Sequence, residues 1–191
     1  MRWSELGGER CSIARTVAIV GDRWTLLILR DCFLRVRRFE EFEARLGITR
    51  HILAGRLKKL VSEGVLRKVA YHERPVRYEY RLTQKGLDLY PVLMSLVHWG
   101  DTYTTGKAGR PLLHQHLRCG RQFDPILTCS ECGEALDPRE VRVMPGPGAD
   151  RKLRQFHAEH IQQETSVAPV RDGAVAKTPS RGSDRRRRSA A

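Results

Sequence analysis

Apolar residues recur along the chain with a period that changes near residue 65. Before that point the period is helical. Ile13, Val17 and Val20 are spaced for one helix face, and Ser12 stands where an N-cap is wanted. Gly21-Asp22 breaks that helix. Trp24, Leu26, Leu27, Ile28, Leu29 and Phe33 then leave almost no polar side, which predicts a central buried helix. Phe39, Phe42 and Leu46 repeat the helical spacing, and Gly47 supplies a C-cap or tight turn. Thr49 is placed to cap a further helix, in which Leu53, Leu57, Leu60 and Val61 form one stripe that ends at Gly64.

After Gly64 the period falls to two. Leu66–Tyr71 and Arg77–Leu82 are β-rich runs. The intervening His72–Val76 has neither Gly nor Asn, so a loop longer than two residues is predicted around Pro75. Thr83 caps a short helix predicted over Gly86–Leu89. Pro91 opens a longer one, to about Tyr103, that sets Val92, Leu93, Leu96 and Trp99 on one apolar face. Residues 38–82 therefore read as helix, turn, helix and hairpin: an α+β winged helix-turn-helix, mostly helical, with a two-stranded β-wing.

Charge sharpens this picture. The 191 residues hold 35 Lys+Arg against 22 Asp+Glu, a formal net charge of +13. Such an excess suggests an anionic partner, either nucleic acid or a membrane surface. Its placement discriminates between them. Residues 45–85 carry 11 basic and 3 acidic side chains, residues 145–191 carry 10 and 5, and the rest of the chain is nearly balanced. No amphipathic membrane helix shares in the excess, and no run approaches the roughly 18 to 20 apolar residues that span a bilayer. The start MRWSELGGERCS lacks a basic-then-apolar leader, so the expectation is a cytoplasmic protein without a membrane partner.

The charged window coincides with the helix-turn-helix. On the helix beginning after Thr49, the face opposite the leucines holds His51, Ala54, Gly55 and Lys58, flanked by Arg50 and Lys59. The N-terminal end of such a helix reaches base edges in the major groove of duplex DNA. Arg50 offers the paired donors that suit guanine, with Thr49 and His51 beside it; Lys58 and Lys59 suit phosphates. In the hairpin, Arg74 and Arg77 lie where a wing meets the minor groove or its phosphates. A basic face that is merely solvated is the plain alternative. Gly-rich phosphate loops, Gly-x-Ser-x-Gly elbows and His-Glu-x-x-His pairs are all missing, so no enzyme class is indicated.

Five cysteines remain. Cys11 precedes the first helix, where amide N–H groups, Arg10 and Arg15 favour a thiolate; a small packing residue is the other reading. Cys32 falls in the apolar helix and reads as inert core. His116-x-x-Cys119 and Cys129-x-x-Cys132 have the spacing of a zinc ribbon, two knuckles gathering four N/S ligands around a structural Zn2+. His114, His157 and His160 compete with His116 as the histidine ligand. A dithiol redox pair at Cys129 and Cys132, a protein-interaction module, or a ribbon without metal are the alternatives. The chain thus divides into residues 1–105, a winged helix; 106–144, linker and zinc-ribbon-like hairpin extension; and 145–191, a disordered basic tail. Within that tail 151–164 has the pattern of a short helix, and Arg185–Arg188 form a charge run.

Several motifs then occur together in order: Cys11-Ser-Ile-Ala-Arg-Thr, Gly21-Asp-Arg-Trp-Thr-Leu-Leu-Ile-Leu-Arg30, Arg38-Phe39, Ile52-Leu-Ala-Gly-Arg-Leu57, Gly64-Val-Leu and Tyr78-Glu-Tyr-Arg-Leu-Thr83. Over residues 11–105 the chain resembles the HxlR-type transcriptional regulators, relatives of the MarR-like winged-helix proteins. The resemblance implies a homodimer, joined through the N-terminal helix and the helix carrying Val92, Leu93, Leu96 and Trp99, that represses or activates from a pseudo-palindromic operator. It also implies that Cys11 is a candidate sensor of oxidants or electrophiles. The effector stays unspecified.

Overall fold

The computed structural model describes residues 3–161. The described residues form two compact units, divided between Leu136 and Asp137. The charge run Arg185–Arg188 lies outside the described residues.

The first unit opens with a 3₁₀ turn, Trp3–Gly8, and then α1, Ser12–Val20. Cys11, not Ser12, occupies its N-cap: the Cys11 carbonyl accepts the first helical bond, from the Arg15 amide, so Ser12 already lies inside the first turn. α2, Arg23–Phe33, starts on Asp22, whose carboxylate accepts the Trp24 and Thr25 amides at 3.0 and 3.3 Å. The residue that breaks one helix therefore begins the next.

α2 is apolar on most sides, with one buried charged exception. Ile28 and Leu29 are buried as expected, but so is Asp31, whose carboxylate is fully covered. It is tolerated because Arg30 and Arg45 reach it at 2.9 and 3.2 Å. α3, Phe39–Leu46, closes at Gly47, whose φ of +60° is the left-handed conformation expected of a helix end. α4 follows as Arg50–Ser62.

β1, Leu66–Glu73, and β2, Val76–Leu82, pair antiparallel, with Leu66 opposite Leu82 and Glu73 opposite Val76. Only Arg74 and Pro75 connect them, so the predicted long loop is a two-residue turn. The Arg74-Pro75 peptide is cis. His72 Nδ1 donates to the Pro75 carbonyl at 2.9 Å across it. The base of the hairpin is tied to the start of α3 by the Tyr80 amide on the Arg37 carbonyl.

Thr83 caps the next helix by accepting the Gly86 amide, while its hydroxyl donates to the Gly64 carbonyl. That cap fixes α5 as Gln84–Leu87, two residues earlier than predicted. Gly86 has no room for a side chain, since a Cβ there would lie 2.3 Å from the Val65 carbonyl oxygen. α6 spans Tyr90–Tyr103 with Pro91 in its first turn. The core gathers Val20 of α1, Ile28 and Leu29 of α2, Phe42 of α3, Leu53, Leu57 and Leu60 of α4, Val65 and Leu66 at the wing base and Leu93 of α6. It positions α4 by its leucine stripe and leaves the other side of that helix free.

Past α6 the chain makes two small hairpins. β3, Gln115–His116, pairs with β4, Arg121–Gln122, and Thr128 bridges Ala135. In the second unit α7, Arg151–Phe156, starts on Asp150, which accepts the Leu153 amide at 2.8 Å. The helical pattern read over 151–164 begins with this capped helix, and the buried His157 donates from its Nε2 to the Val143 carbonyl. The tail beyond residue 161 lies outside the described residues.

Candidate nucleic-acid interface

α4 divides into two faces. Leu53, Leu57 and Leu60 are fully buried, while Arg50, His51, Ala54, Gly55 and Lys58 are exposed. Thr49 holds the N-cap position, but its side chain makes no capping hydrogen bond. Nothing in the chain crowds Gly55, where an added Cβ would meet no atom within 4 Å. The absence of a side chain there leaves a shallow place on the exposed face.

Lys59 departs from the expected set. It is half-buried, and its Nζ donates to the Ala18 carbonyl at the C-terminal end of α1. A cation is favoured at such a helix end, so this lysine joins α4 to α1 and its charge is already engaged. Sequence reasoning also passed over Arg56. Its Nε and Nη2 donate to both Asp22 oxygens at 2.8 and 3.0 Å, a paired contact between α4 and the cap of α2. Partial burial pushes the Asp22 carboxyl up, but Arg56 and the Thr25 and Trp24 amides outweigh it, and the group ends below its ordinary value. Position 56, three residues from Leu53 and beside the leucine stripe, was the available signal.

Arg50, at the first turn of α4, is anchored at one end. Its Nη1 donates to Glu43 of α3 at 2.6 Å, and its guanidinium lies 4.9 Å from the Phe39 ring centroid. Its side chain is still 66% exposed. Glu41, in the first turn of α3, accepts the Arg38 and Arg37 amides, which lower its carboxyl below the usual range and satisfy the N–H groups that precede the helix.

Arg74 sits in the hairpin turn and Arg77 on the adjoining strand, both exposed. Behind them, Lys68 lies 4.0 Å from the Tyr78 ring centroid and Arg38 4.5 Å from that of Tyr71. Two exposed cations, Lys68 of the wing and Arg38 at the N-cap of α3, thus have their charged groups over tyrosine rings of the wing.

The α6 stripe divides. Leu93 turns into the chain's own core, whereas Val92, Leu96 and Trp99 are exposed, Trp99 at 61%. Leu93 lies one residue round the helix from Val92, which carries it onto the core side. Ile13 of α1 and Tyr103 of α6 are also exposed. Cys11 is exposed, at the N-cap of α1. In Cys32, burial and then the Asp31 charge push the thiol up to about 12, in keeping with an inert core residue.

The two cysteine knuckles form separately. His116 Nδ1 lies 3.5 Å from Cys119 Sγ, and the Gly120 amide closes that turn on the His116 carbonyl. The second turn closes by the Gly133 amide on the Cys129 carbonyl. Amides of Cys132 and Glu131, then the Cys132 side chain, stabilise the Cys129 thiolate and lower its pKa. Gly120 and Gly133 both take positive φ, as tight knuckles require. Among the described residues no three of His, Cys, Asp and Glu come together as a metal-binding group. No helix of the described residues is long and apolar enough to cross a membrane.

Residues 19–108 match the family model for HxlR-like helix-turn-helix proteins. A helix-turn-helix transcriptional regulator of Mycobacterium tuberculosis is 45% identical over 142 residues, covering 74% of this chain and 90% of the relative. That length exceeds the winged helix alone, so the likeness runs into the extension after α6. The crystal structure of PA1607, a candidate transcription factor, superposes with a TM-score of 0.67 at 33% identity, covering 75% of this chain and 99% of that one. PA1374 of Pseudomonas aeruginosa, another candidate transcription factor, gives 0.53 at 35% identity, with 76% and 99% covered. With a leucine-anchored helix presenting a basic face beside a basic wing, the chain belongs to the HxlR-like helix-turn-helix family of DNA-binding transcriptional regulators.

Proposed function

We propose that the protein binds duplex DNA sequence-specifically as a homodimer and represses transcription from a pseudo-palindromic operator in the cytoplasm. The observation that carries this reading is the division of α4, leucines inward and Arg50, His51, Ala54, Gly55 and Lys58 outward. In this reading the outward face enters the major groove, with Thr49 and Arg50 nearest the base edges, and Arg74 and Arg77 hold phosphates beside it. Selection of binding sites from random duplex DNA tests it. The expected product is an inverted repeat with half-sites about one helical turn apart, bound with steeply salt-dependent affinity. Recovery of unrelated sequences with equal affinity would sink it.

The dimer is supported by the exposed apolar stripe of Val92, Leu96, Trp99 and Tyr103 on α6, with Ile13 on α1 equally uncovered. Trp99→Glu is expected to shift the sedimenting species to monomer. Cys11 is proposed as a redox or electrophile sensor, on the strength of its exposure and its place at a helix N-terminus. If Cys11→Ser represses normally and is still released by quinone or hypochlorite, that role is excluded.

We further propose that a structural Zn2+ draws together the knuckles of His116, Cys119, Cys129 and Cys132. The donor types suit zinc, and each half is formed, although the halves do not converge among the described residues. Zinc would supply the cross-link that the exposed side chains here do not. Less than half a zinc per purified chain by metal analysis would count decisively against it.

A further inference from the structure

Two arginines on α4 are held by carboxylates, and they are held differently. Arg56 gives its Nε and Nη2 donors to Asp22, so the edge of the guanidinium that pairs with planar acceptors is consumed inside the fold. Arg50 gives only Nη1 to Glu43. Among the described residues its Nε and Nη2 carry no hydrogen bond, and the side chain is two-thirds exposed. The edge engaged in Arg56 is therefore the edge left open in Arg50.

Three contacts limit where that edge can point. Arg50 sits in the first turn of α4, so its backbone is set by the helix. Glu43 holds one terminal nitrogen from α3. Phe39, one helical turn before Glu43 on the same α3 face, lies against the guanidinium with 4.9 Å between its ring centroid and the guanidinium carbon. A long flexible side chain that normally samples many rotamers is thereby given one plane and one direction before any DNA arrives. A paired contact to the two acceptors of guanine needs both, because its two hydrogen bonds must be coplanar.

We propose that Glu43 is a positioning residue for base readout: with Phe39 it holds the guanidinium of Arg50 so that the Nε–Nη2 edge alone faces the major groove and selects guanine. This rests on the reading above that the exposed face of α4 enters the groove. Glu43 also keeps Arg50 from acting as a phosphate clamp. A freed arginine would swing to the nearest phosphate, strengthening binding to every sequence and weakening the preference for one.

The test compares the full-length protein with Glu43→Gln, Arg50→Ala and Arg50→Lys. Each is measured on the selected operator, on operators with single guanine replacements in each half-site, and on random duplex, across a salt series. Arg50→Ala is expected to lose roughly 5- to 150-fold of discrimination at one guanine. Arg50→Lys should not restore it, since an ammonium has no paired edge. Glu43→Gln should lose about tenfold at that same guanine, within the same range, while affinity for random duplex rises and its salt dependence steepens by about one phosphate contact. Circular dichroism and thermal unfolding show whether each variant is folded. If Glu43→Gln is folded and keeps full discrimination, or weakens all sequences equally, the positioning role is overturned while the interface reading stands. If Arg50→Ala itself loses no discrimination at any guanine, base readout by Arg50 fails and the role of Glu43 fails with it.

Discussion

The winged helix and the cysteine-bearing segment after it are held by different forces. Between Val20 and Leu93, eleven apolar side chains are packed into one buried cluster. Between residues 106 and 136 no residue is buried; Leu117 is 89% exposed and Ile126 is 74% exposed. The first region places its binding face through burial, which acts over the whole domain at once. The second has its turns specified locally, by glycines at positive φ and by short backbone bonds, and its apolar packing is confined to Leu112, Leu113 and Phe123, which line a small cavity with Met94 and Val97 of α6. Well-formed local geometry does not imply an independent core, and such a segment needs a cross-link or a partner to be stable.

The comparison can be tested by substitutions ordered by expected effect. Leu57→Ala, at the fully buried centre of α4, is expected to cost about 3 kcal/mol in urea unfolding, within the range for large-to-small core changes. A loss under about 1 kcal/mol, well below that range, would mean that the cluster does not carry the domain. Asp31→Ala should come next, at about 2 kcal/mol. That is below the usual cost of breaking a buried pair, because Arg30 and Arg45 are each nearly half exposed and are solvated once freed.

Asp22→Asn keeps a cap acceptor but removes the charge that Arg56 binds, and is expected to cost about 1 kcal/mol at neutral pH. Its pH dependence has a definite sign. The folded-state pKa of Asp22 lies below the ordinary 3.8, so its contribution is complete above that value and is lost as pH falls through the folded value. Wild type and variant should therefore converge in acid. Unfolding curves that stay apart there would show that the pair is not the cause. The smallest effect is expected from Cys129→Ser, which should change winged-helix unfolding by less than about 0.5 kcal/mol, as for sites outside a core. The same substitution should make the segment around Leu127–Leu136 markedly more sensitive to protease. A large fall in global stability would show that the two regions fold as one.

Much of the fold could be read from the chain, because its cause is periodic. The leucine stripe of α4, the change to period two after Gly64 and the glycine stop at Gly47 are repeated or stereochemically compelled signals, so they survive without knowledge of neighbours. The wing turn reads as a longer loop because its two residues, Arg74 and Pro75, are not the Gly or Asn that two-residue turns usually advertise. The interface was legible as a charged window and less so residue by residue. Lys58 and Lys59 are adjacent and alike, yet one is exposed and the other is bound to the Ala18 carbonyl.

The architecture, a winged helix-turn-helix with its positive charge concentrated on one motif, follows from spacing along the chain. The use of each charged side chain depends on how the helices pack. Asp31 is buried among arginines 1 and 14 residues away, Arg56 is spent on Asp22 34 residues earlier, and Arg50 is held by Glu43 across the turn. Burial of an apolar stripe follows from local spacing along one helix. The partner of a charge is set by which helices meet, and that is a property of the folded chain alone.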